Sequence, residues 1–551
     1  MFGKYSLVAL ALSIGQMLFS QNVSLQLEFI SDSSSTKNKF KTQSFDDAER
    51  LMNFKVDSLK KTSYPFLNLE TTYKENALIA TLRLHQNIET VQISIAEEHA
   101  SYLPKSIQVS DNKFIIDYKD VERFLTSVIE NLRRQGSSFG KAYLSDISTT
   151  DEHQIKATLN LETGLKRTID KLHTRGYTEL SPTFIRRFSN LELGDMFVEE
   201  QVQQKTEQLG NIPFISITKP TEVLFKKDST ELFLYLEKIN ANSFDGFLGF
   251  GNTEESGFQL NGYFNMVLLN NLNFGERLSV IYKNDGIGQQ TFEGKARLPF
   301  LFKSPISLEA GLRIFRRDSL FSNSSQLLDI NYQLNEKINF SGGVEFTNST
   351  NLENENNSLS SEVVDFNSTF YSLGFNYLKL NSRQGFNEDS FLNLKVSLGK
   401  RDALIASEQY KLDLNGQHQL VLNARNKIFL NLKSQILISD SYVNNELFRF
   451  GGVNSIRGFA ENVLIANRFA VLQTEYRYIL DANLFANSVL DIGNYQNKLD
   501  GINENILGYG VGLGLQSKAG IFKLILANSI SETEETRLGN SKIHISFTSF
   551  F

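Results

Sequence analysis

From residue 242 to residue 551 apolar and polar side chains alternate with a period of two, and this constrains the chain more than any other feature. Ile306, Leu308, Ala310, Leu312 and Ile314 alternate with Ser307, Glu309, Gly311 and Arg313. Leu392, Leu394, Val396 and Leu398 alternate with Asn393, Lys395 and Ser397. Successive side chains of a strand point to opposite faces, so each segment offers one apolar and one polar face. A soluble sandwich shares that pattern, with its apolar face as a core. What favours a membrane is number: roughly 310 residues of such segments, with no helical stretch among them. A sheet closed on itself satisfies every backbone N–H and C=O in lipid. At about 19 residues per strand and loop, the expectation for 240–551 is a transmembrane antiparallel β-barrel of about 16 strands. A short turn is expected at Asn284-Asp285-Gly286 and a polar loop at 348–362.

Composition narrows the class. The chain has 551 residues, with 44 Phe and 19 Tyr but no Cys, so neither a disulfide framework nor a thiolate metal site is expected. A net charge of −6 without a basic cluster argues against nucleic acid as a partner. The mean hydropathy of −0.24 suits a barrel, in which lipid-facing and lumen-facing residues average out. No later stretch approaches the ~18 uninterrupted apolar residues of a transmembrane helix.

At the amino end, Lys4, an apolar run over 7–14 and small Ser20 have the order of a secretory signal peptide, assigned to 1–20. Residues 21–239 read as mixed α/β in three periods of roughly 70 residues. The first, 21–95, has a strand at 23–30, a helix from Ser44 to about Lys61 with Asp46 and Asp47 in its first turn, and strands at 67–73 and 77–85. In the second, 96–165, Val121, Phe124, Leu125, Val128, Ile129 and Leu132 recur on one helix face. Strands at 141–147 and 154–161 follow it. The third, 166–239, has an extended stretch at 166–172, helices near 182–188 and 198–209, and strands at 214–225 and 231–238.

Gly136-Ser137-Ser138-Phe139-Gly140 fits the G-x-S-x-G nucleophile pattern. That chemistry needs a strand before the serine and a helix after it, to hold the hydroxyl on a strained turn. Here a helix precedes and a strand follows, so a helix-terminating glycine turn is the better reading. The six histidines, at 85, 99, 153, 173, 418 and 544, show no metal-ligand spacing. With no phosphate loop or dinucleotide fingerprint, no enzyme and no cofactor are expected.

Between the strand patterns at 428–438 and 469–478 lies a long loop containing Phe448-Arg449-Phe450-Gly451-Gly452-Val453-Asn454-Ser455-Ile456-Arg457-Gly458-Phe459. Gly451, Gly452 and Gly458 admit backbone conformations closed to other residues, so Arg457 rides a sharp bend. The bland alternative is a solvated glycine-rich hairpin loop. The longer pattern, with Gly451, Gly452, Ser455, Ile456, Arg457, Gly458 and Phe459, resembles the loop motif of the bacterial surface antigen superfamily of outer-membrane barrels. This is the family of BamA, TamA and the TpsB transporters. Thr474-Glu475-Tyr476-Arg477 and Val489-Leu490-Asp491-Ile492-Gly493-Asn494 resemble its strand motifs around the acids that hold the loop arginine. Alternation turns Glu475 and Asp491 to the lumen, where a guanidinium makes bidentate, charge-assisted bonds to carboxylates.

The resemblance implies more. Strand, two helices, two strands is the order of the POTRA domain, which precedes the barrel on its periplasmic side; His173-Thr174-Arg175-Gly176, placed after the first strand of the third period, carries the best local match. Ile545, Phe547 and Phe551 end the chain on a strand with a terminal aromatic, resembling the assembly signal of outer-membrane barrels. Gly508, Gly510, Gly512 and Gly514 give a glycine-lined inner face, read equally as room for something packed inside and as accommodation of curvature. The implied function is insertion of barrel proteins, or export of a protein, at the outer membrane, with membrane lipid, unfolded or secreted clients and periplasmic or lipoprotein partners. The alternative is a passive channel or a scaffold whose modules only dock partners. Three modules, where BamA-type insertases commonly have five, and the lack of an evident plug helix depart from family subtypes.

Overall fold

The computed structural model describes residues 23–31, 34–151, 153–253, 257–284, 288–353, 363–381, 386–517, 520–532 and 541–551. The expected leader, the tip of the turn at Asp285-Gly286 and residues 354–362 of the expected polar loop lie outside them. Two compact units emerge, one from residues up to and including 168 with 196–199, the other from 169–195 and 200–551.

The first unit holds two small mixed sheets, each covered by one helix. In the first, Val23–Ser31 pairs parallel with Ala77–Arg83 and antiparallel with Ser34–Thr42, and Asn68–Lys74 forms the other edge. The helix Phe45–Thr62 starts where Ser44 accepts a hydrogen bond from the Asp47 N–H, one of the orphan donors of a first turn. Its Ala48, Met52 and Val56 recur every four residues and pack on Leu25, Leu27, Leu78 and Leu82. Each fully buried leucine contributes roughly 1.5–3 kcal/mol. The strand Ser34–Thr42 corrects the expected β-α-α-β-β order, because a strand stands where that order has its first helix. Its side chains are polar and mostly exposed, so no hydrophobic period announces it.

The second sheet has the order Lys113–Asp117, Thr90–Ser94, Gln154–Glu162, Lys141–Asp151. Phe124, Val128 and Leu132 of the helix Val121–Arg134 pack on its Val91, Ile93, Ile155 and Leu159. Two expectations are corrected here. Thr90–Ser94 pairs parallel with Gln154–Glu162, so the boundary expected at 95/96 falls before residue 90. A strand and short 3-10 turns replace the first helix. Gly136 follows the helix at φ +86°, and the Ser137 N–H closes back on the Leu132 carbonyl at 2.9 Å. This is a helix-terminating turn, entered from a helix and left by the strand at Lys141.

In the second unit the third module has the full β-α-α-β-β order: Lys171–Gly176, helices Pro182–Ser189 and Glu199–Glu207, then Ile215–Phe225 and Thr230–Lys238. His173, Thr174, Arg175 and Gly176 lie within its first strand and not after it, a second correction of register. The module is welded to the barrel through two turns. Tyr177 donates to Asn273 Oδ1 at 2.5 Å and accepts from Asn270 Nδ2 at 2.8 Å. Arg187 donates to the Lys303 carbonyl at 2.9 and 3.1 Å. Phe184 meets Phe300 edge-on at 5.7 Å and lies where a side chain on Gly275 (φ +81°) would stand.

Sixteen antiparallel strands close into a barrel, from Ser243–Thr253 to Lys542–Phe550. Outward positions are apolar and exposed, as Leu472, Tyr476, Leu490, Ile492, Ile543 and Ile545 show. Neighbouring strands pair over seven to fourteen positions, whereas the first and last strands pair over three, Ser243↔Phe550, Phe244↔Ser549 and Asp245↔Thr548. Asp245 Oδ1 also accepts from the Phe547 N–H at 3.3 Å, and the Asn242 carbonyl accepts from Phe551 N–H at 2.9 Å. The first strand leaves directly from the third module, so odd-numbered strands run away from it and the loop 440–467, after the eleventh strand Asn426–Ser439, starts on the far side.

Candidate functional site

The loop 440–467 turns back into the lumen. A two-stranded ribbon, Phe448–Phe450 with Leu464–Ala466, carries it inward, and the glycine bend delivers its tip to the wall. The Gly451 N–H donates to Ser455 Oγ at 2.7 Å, and Ser455 N–H to the Gly452 carbonyl at 3.2 Å. Both glycines have positive φ (126° and 83°), which a side chain would strain. Ile456 and Phe459 are buried in an apolar cluster with Phe450, Phe469, Val471, Tyr495 and Ile506. Phe450 stacks on Phe469 at 4.3 Å with an interplanar angle of 5°.

Arg457 sits at the centre, 2% exposed. Its Nε donates to Asp491 Oδ2 at 2.8 Å and its Nη2 to Asp491 Oδ1 at 2.5 Å, the fork geometry of a bidentate pair. Its backbone N–H donates to Asp491 Oδ2 as well, at 2.9 Å. Nη1 pairs with Glu475 Oε1. Glu475 in turn accepts from Arg477 Nε at 2.7 Å, Arg477 reaches Glu388 at 2.6 Å, and the guanidinium lies 4.4 Å from the Phe429 ring centroid. The result is a buried chain of alternating charge from the loop through the twelfth (Arg468–Ile479) and thirteenth (Leu484–Asn497) strands to the segment before the ninth. A buried charge without such a partner is costly, so each member depends on the next.

The wall is shaped to receive the tip. A Cβ on Gly508 would stand 2.2 Å from the Arg457 carbonyl oxygen, and one on Gly458 (φ +93°) 2.4 Å from the Asn528 backbone. Gly514 makes room for the Phe485 ring and Gly510 for the neighbouring strand's backbone. Gly512 makes room for Asn487 and Ile525, so the glycine row serves loop packing at Gly508 and wall packing at the other three. Ile545, Phe547 and Phe551 are not part of this site; they lie on the last strand and its end with outward exposed side chains.

A second anchor holds the root of the same loop, and the sequence did not single it out. Arg401, on the ninth strand Ser390–Asp402, is 1% exposed and pairs with Glu446 Oε1 at 2.5 Å; it also donates to Ser441 Oγ at 2.7 Å. Gln409 donates to the other Glu446 oxygen at 2.8 Å. Asn445 spans to Ser349 and the Val364 carbonyl at 2.6 and 2.8 Å, and its own carbonyl accepts from Asn323. Lys283 of the third strand pairs with Glu461 at 2.7 Å. The loop is thus a strut across the lumen, tied at the root and at the tip. The signal available in the sequence was one arginine on the lumenal face at a strand end, which names no partner.

The architecture is a set of α/β modules, the third with the β-α-α-β-β order, followed by a closed barrel of sixteen antiparallel strands. Residues 314–515, from the fifth strand through most of the fourteenth, match the family model described as haemolysin secretion/activation protein ShlB/FhaC/HecB. No curated protein matches the chain. Among solved structures, CdiB from Escherichia coli is 13% identical with a TM-score of 0.56, over 91% of this chain and 97% of that one. CdiB from Acinetobacter baumannii is also 13% identical, with a TM-score of 0.52 over 92% and 98%. BamA from Haemophilus ducreyi lacking POTRA domains 1-3 is 16% identical, with a TM-score of 0.48 over 78% and 93%. The two CdiB structures share this chain's fold, and the family model matches the barrel over 314–515.

Proposed function

We propose that this protein moves other proteins into or across the outer membrane, with residues 1–20 as export signal, the modules in the periplasm receiving unfolded or secreted clients and any lipoprotein partner, and the barrel in the lipid as the passage. The observation that carries this reading is the match of 314–515 to a haemolysin secretion/activation family, because it spans the whole inward loop and both strands that hold it. The strut across the lumen narrows the passage and ties it at two ends, which a wide, unselective channel does not require. Arg457, Glu475 and Asp491 have a positioning role in this reading, fixing the loop so that its surface and the remaining lumen have one geometry. No group transfer is involved.

Depletion in cells, followed by quantification of outer-membrane and secreted proteins, tests the proposal. Loss of several unrelated barrel proteins identifies an assembly factor, and loss of one secreted protein a dedicated transporter. An unchanged outer membrane and secretome rejects both.

A further inference from the structure

We propose that the module-side mouth of the barrel is a binding site for an extended polypeptide segment that carries a carboxylate next to a bulky apolar side chain. This deepens the translocation reading by naming what the client presents at the entrance. The mouth is a cavity of about 770 Å³, room for a few residues of extended chain and too little for a folded domain.

Arg277, which opens the third strand Arg277–Asn284, and Arg297, near the end of the fourth strand Gln289–Leu298, stand directly opposite each other in register. Both face inward, since Arg277 shares its face with Lys283, which reaches the lumenal loop, and Arg297 shares its face with the lumenal Glu293 and Lys295. Like charges directly opposite on neighbouring strands repel and destabilise the pair. Neither arginine makes a hydrogen bond or ion pair among the described residues. Glu309, opposite Arg297 on the fifth strand, is the acid next in the ladder and bridges to neither.

The other charged groups on the cavity wall are engaged. Glu388 binds Arg477 and lies 3.7 Å from Lys523, Glu336 pairs with Lys337, and Asp389 accepts from the Asn381 N–H. The two guanidinium groups therefore keep their hydrogen-bonding forks open, with Glu309 acting on Arg277 only through its charge, and what such forks recognise bidentately is a carboxylate. Apolar side chains lie beside these charges on a wall that also carries Gln333, Asn335, Gln417 and Gln516. Phe188, Ile212 and Pro213 of the third module face Leu269, Leu378 and Ile521 of the barrel, which sets a bulky apolar residue beside the acid. A peptide bound there lies on the path from the module to the lumen and within reach of the Glu388–Arg477 end of the ion chain that leads to the loop.

The test uses the full-length protein in detergent micelles and short fluorescent peptides, one with aspartate followed by phenylalanine in a serine-glycine background, one with asparagine in place of the aspartate and one with alanine in place of the phenylalanine. The aspartate-phenylalanine peptide is expected to bind about tenfold more tightly than either counterpart. Replacing both arginines (Arg277→Gln with Arg297→Gln) is expected to abolish the preference for aspartate and leave the asparagine peptide unchanged, in a barrel whose heat-modified mobility on gels shows that it is folded. Equal binding of the aspartate and asparagine peptides, or a preference that survives in the double variant, overturns the inference. So does full displacement of the peptide by inorganic phosphate at matched ionic strength, which marks a general anion site. An absent preference alongside lost outer-membrane proteins on depletion rejects this site and leaves translocation standing; an intact preference with no effect of depletion does the reverse.

Discussion

Replacing Arg457 by alanine removes the loop tip's tie to Asp491 and Glu475 while leaving the Lys283–Glu461 pair in place, and the structure allows the cost to be apportioned. Asp491, 0% exposed, loses both side-chain bonds to Arg457 and keeps one backbone N–H. Glu475 keeps Arg477. Truncating one partner of a desolvated pair costs about 3–5 kcal/mol, chiefly through the charge left behind, and here that burden falls on Asp491. Opposing it, burial of Ile456 and Phe459 still favours the docked tip by roughly 1.5–3 kcal/mol each, and the root keeps the Arg401–Glu446 pair. The two terms are comparable, so Arg457→Ala should loosen the tip without expelling the whole loop. The chain has no cysteine, so a single Ser455→Cys label reads this directly. Its maleimide modification should run about 150- to 5,000-fold faster in the Arg457→Ala background, the range equivalent to 3–5 kcal/mol. Arg457→Lys, which keeps charge without the fork, should recover at most about half of that free energy. Labelling within about threefold of the parent would refute the assignment of the tip's stability to the ion pair.

The root should respond separately: Arg401→Ala should raise hydrogen exchange over 440–447 by an amount equivalent to about 3–5 kcal/mol, while Ser455→Cys labelling stays within about threefold of parent, and coupled exposure of both ends would contradict two independent anchors. Gly508→Ala should reproduce the Arg457→Ala labelling because its Cβ overlaps the Arg457 carbonyl, whereas Gly294→Ala, with its nearest neighbour at 3.8 Å, should be silent. In the third module, hydrogen bonding by Lys226, followed by His173, holds the Glu231 carboxyl below the usual range. A depressed folded-state pKa adds stability that is fully present above the unfolded value of about 4.3 and is lost as pH falls through the folded one. Hydrogen exchange in Thr230–Lys238 should accelerate between pH 5 and pH 3 more in the parent than in Glu231→Gln; equal acceleration would exclude Glu231 as the cause.

What the sequence made legible depended on whether a residue's partner lay in a periodic element. The barrel strands announce themselves because lipid on one side and lumen on the other impose the period of two. Arg457, Glu475 and Asp491 could be named together because the loop's glycines mark a bend, alternation turns both acids inward, and the loop and both strand stretches resemble known family motifs. Arg401 was not singled out, since its partner Glu446 lies in an aperiodic stretch forty-five residues away. Ser34–Thr42 escaped because it is an edge strand in which Phe40 reaches the core amid exposed polar residues, too little to set a period. Thr90–Ser94 was assigned to the wrong module because its membership is set by a parallel partner more than sixty residues on, which no local pattern reveals.

The three-position seam has a kinetic meaning. The Phe547 N–H and Asp245 are 302 residues apart, and joining such distant points directly costs about 5 kcal/mol of loop-closure entropy, more than three ladder positions return quickly. Adjacent hairpins can form one after another at little cost, each bringing the two ends nearer as the sheet curls. Closure is then the final event in the barrel's own maturation, and until it occurs both edge strands carry unpaired backbone donors and acceptors. In such an order of events the edges meet only once curvature built up over the other fifteen strand pairs has brought them together.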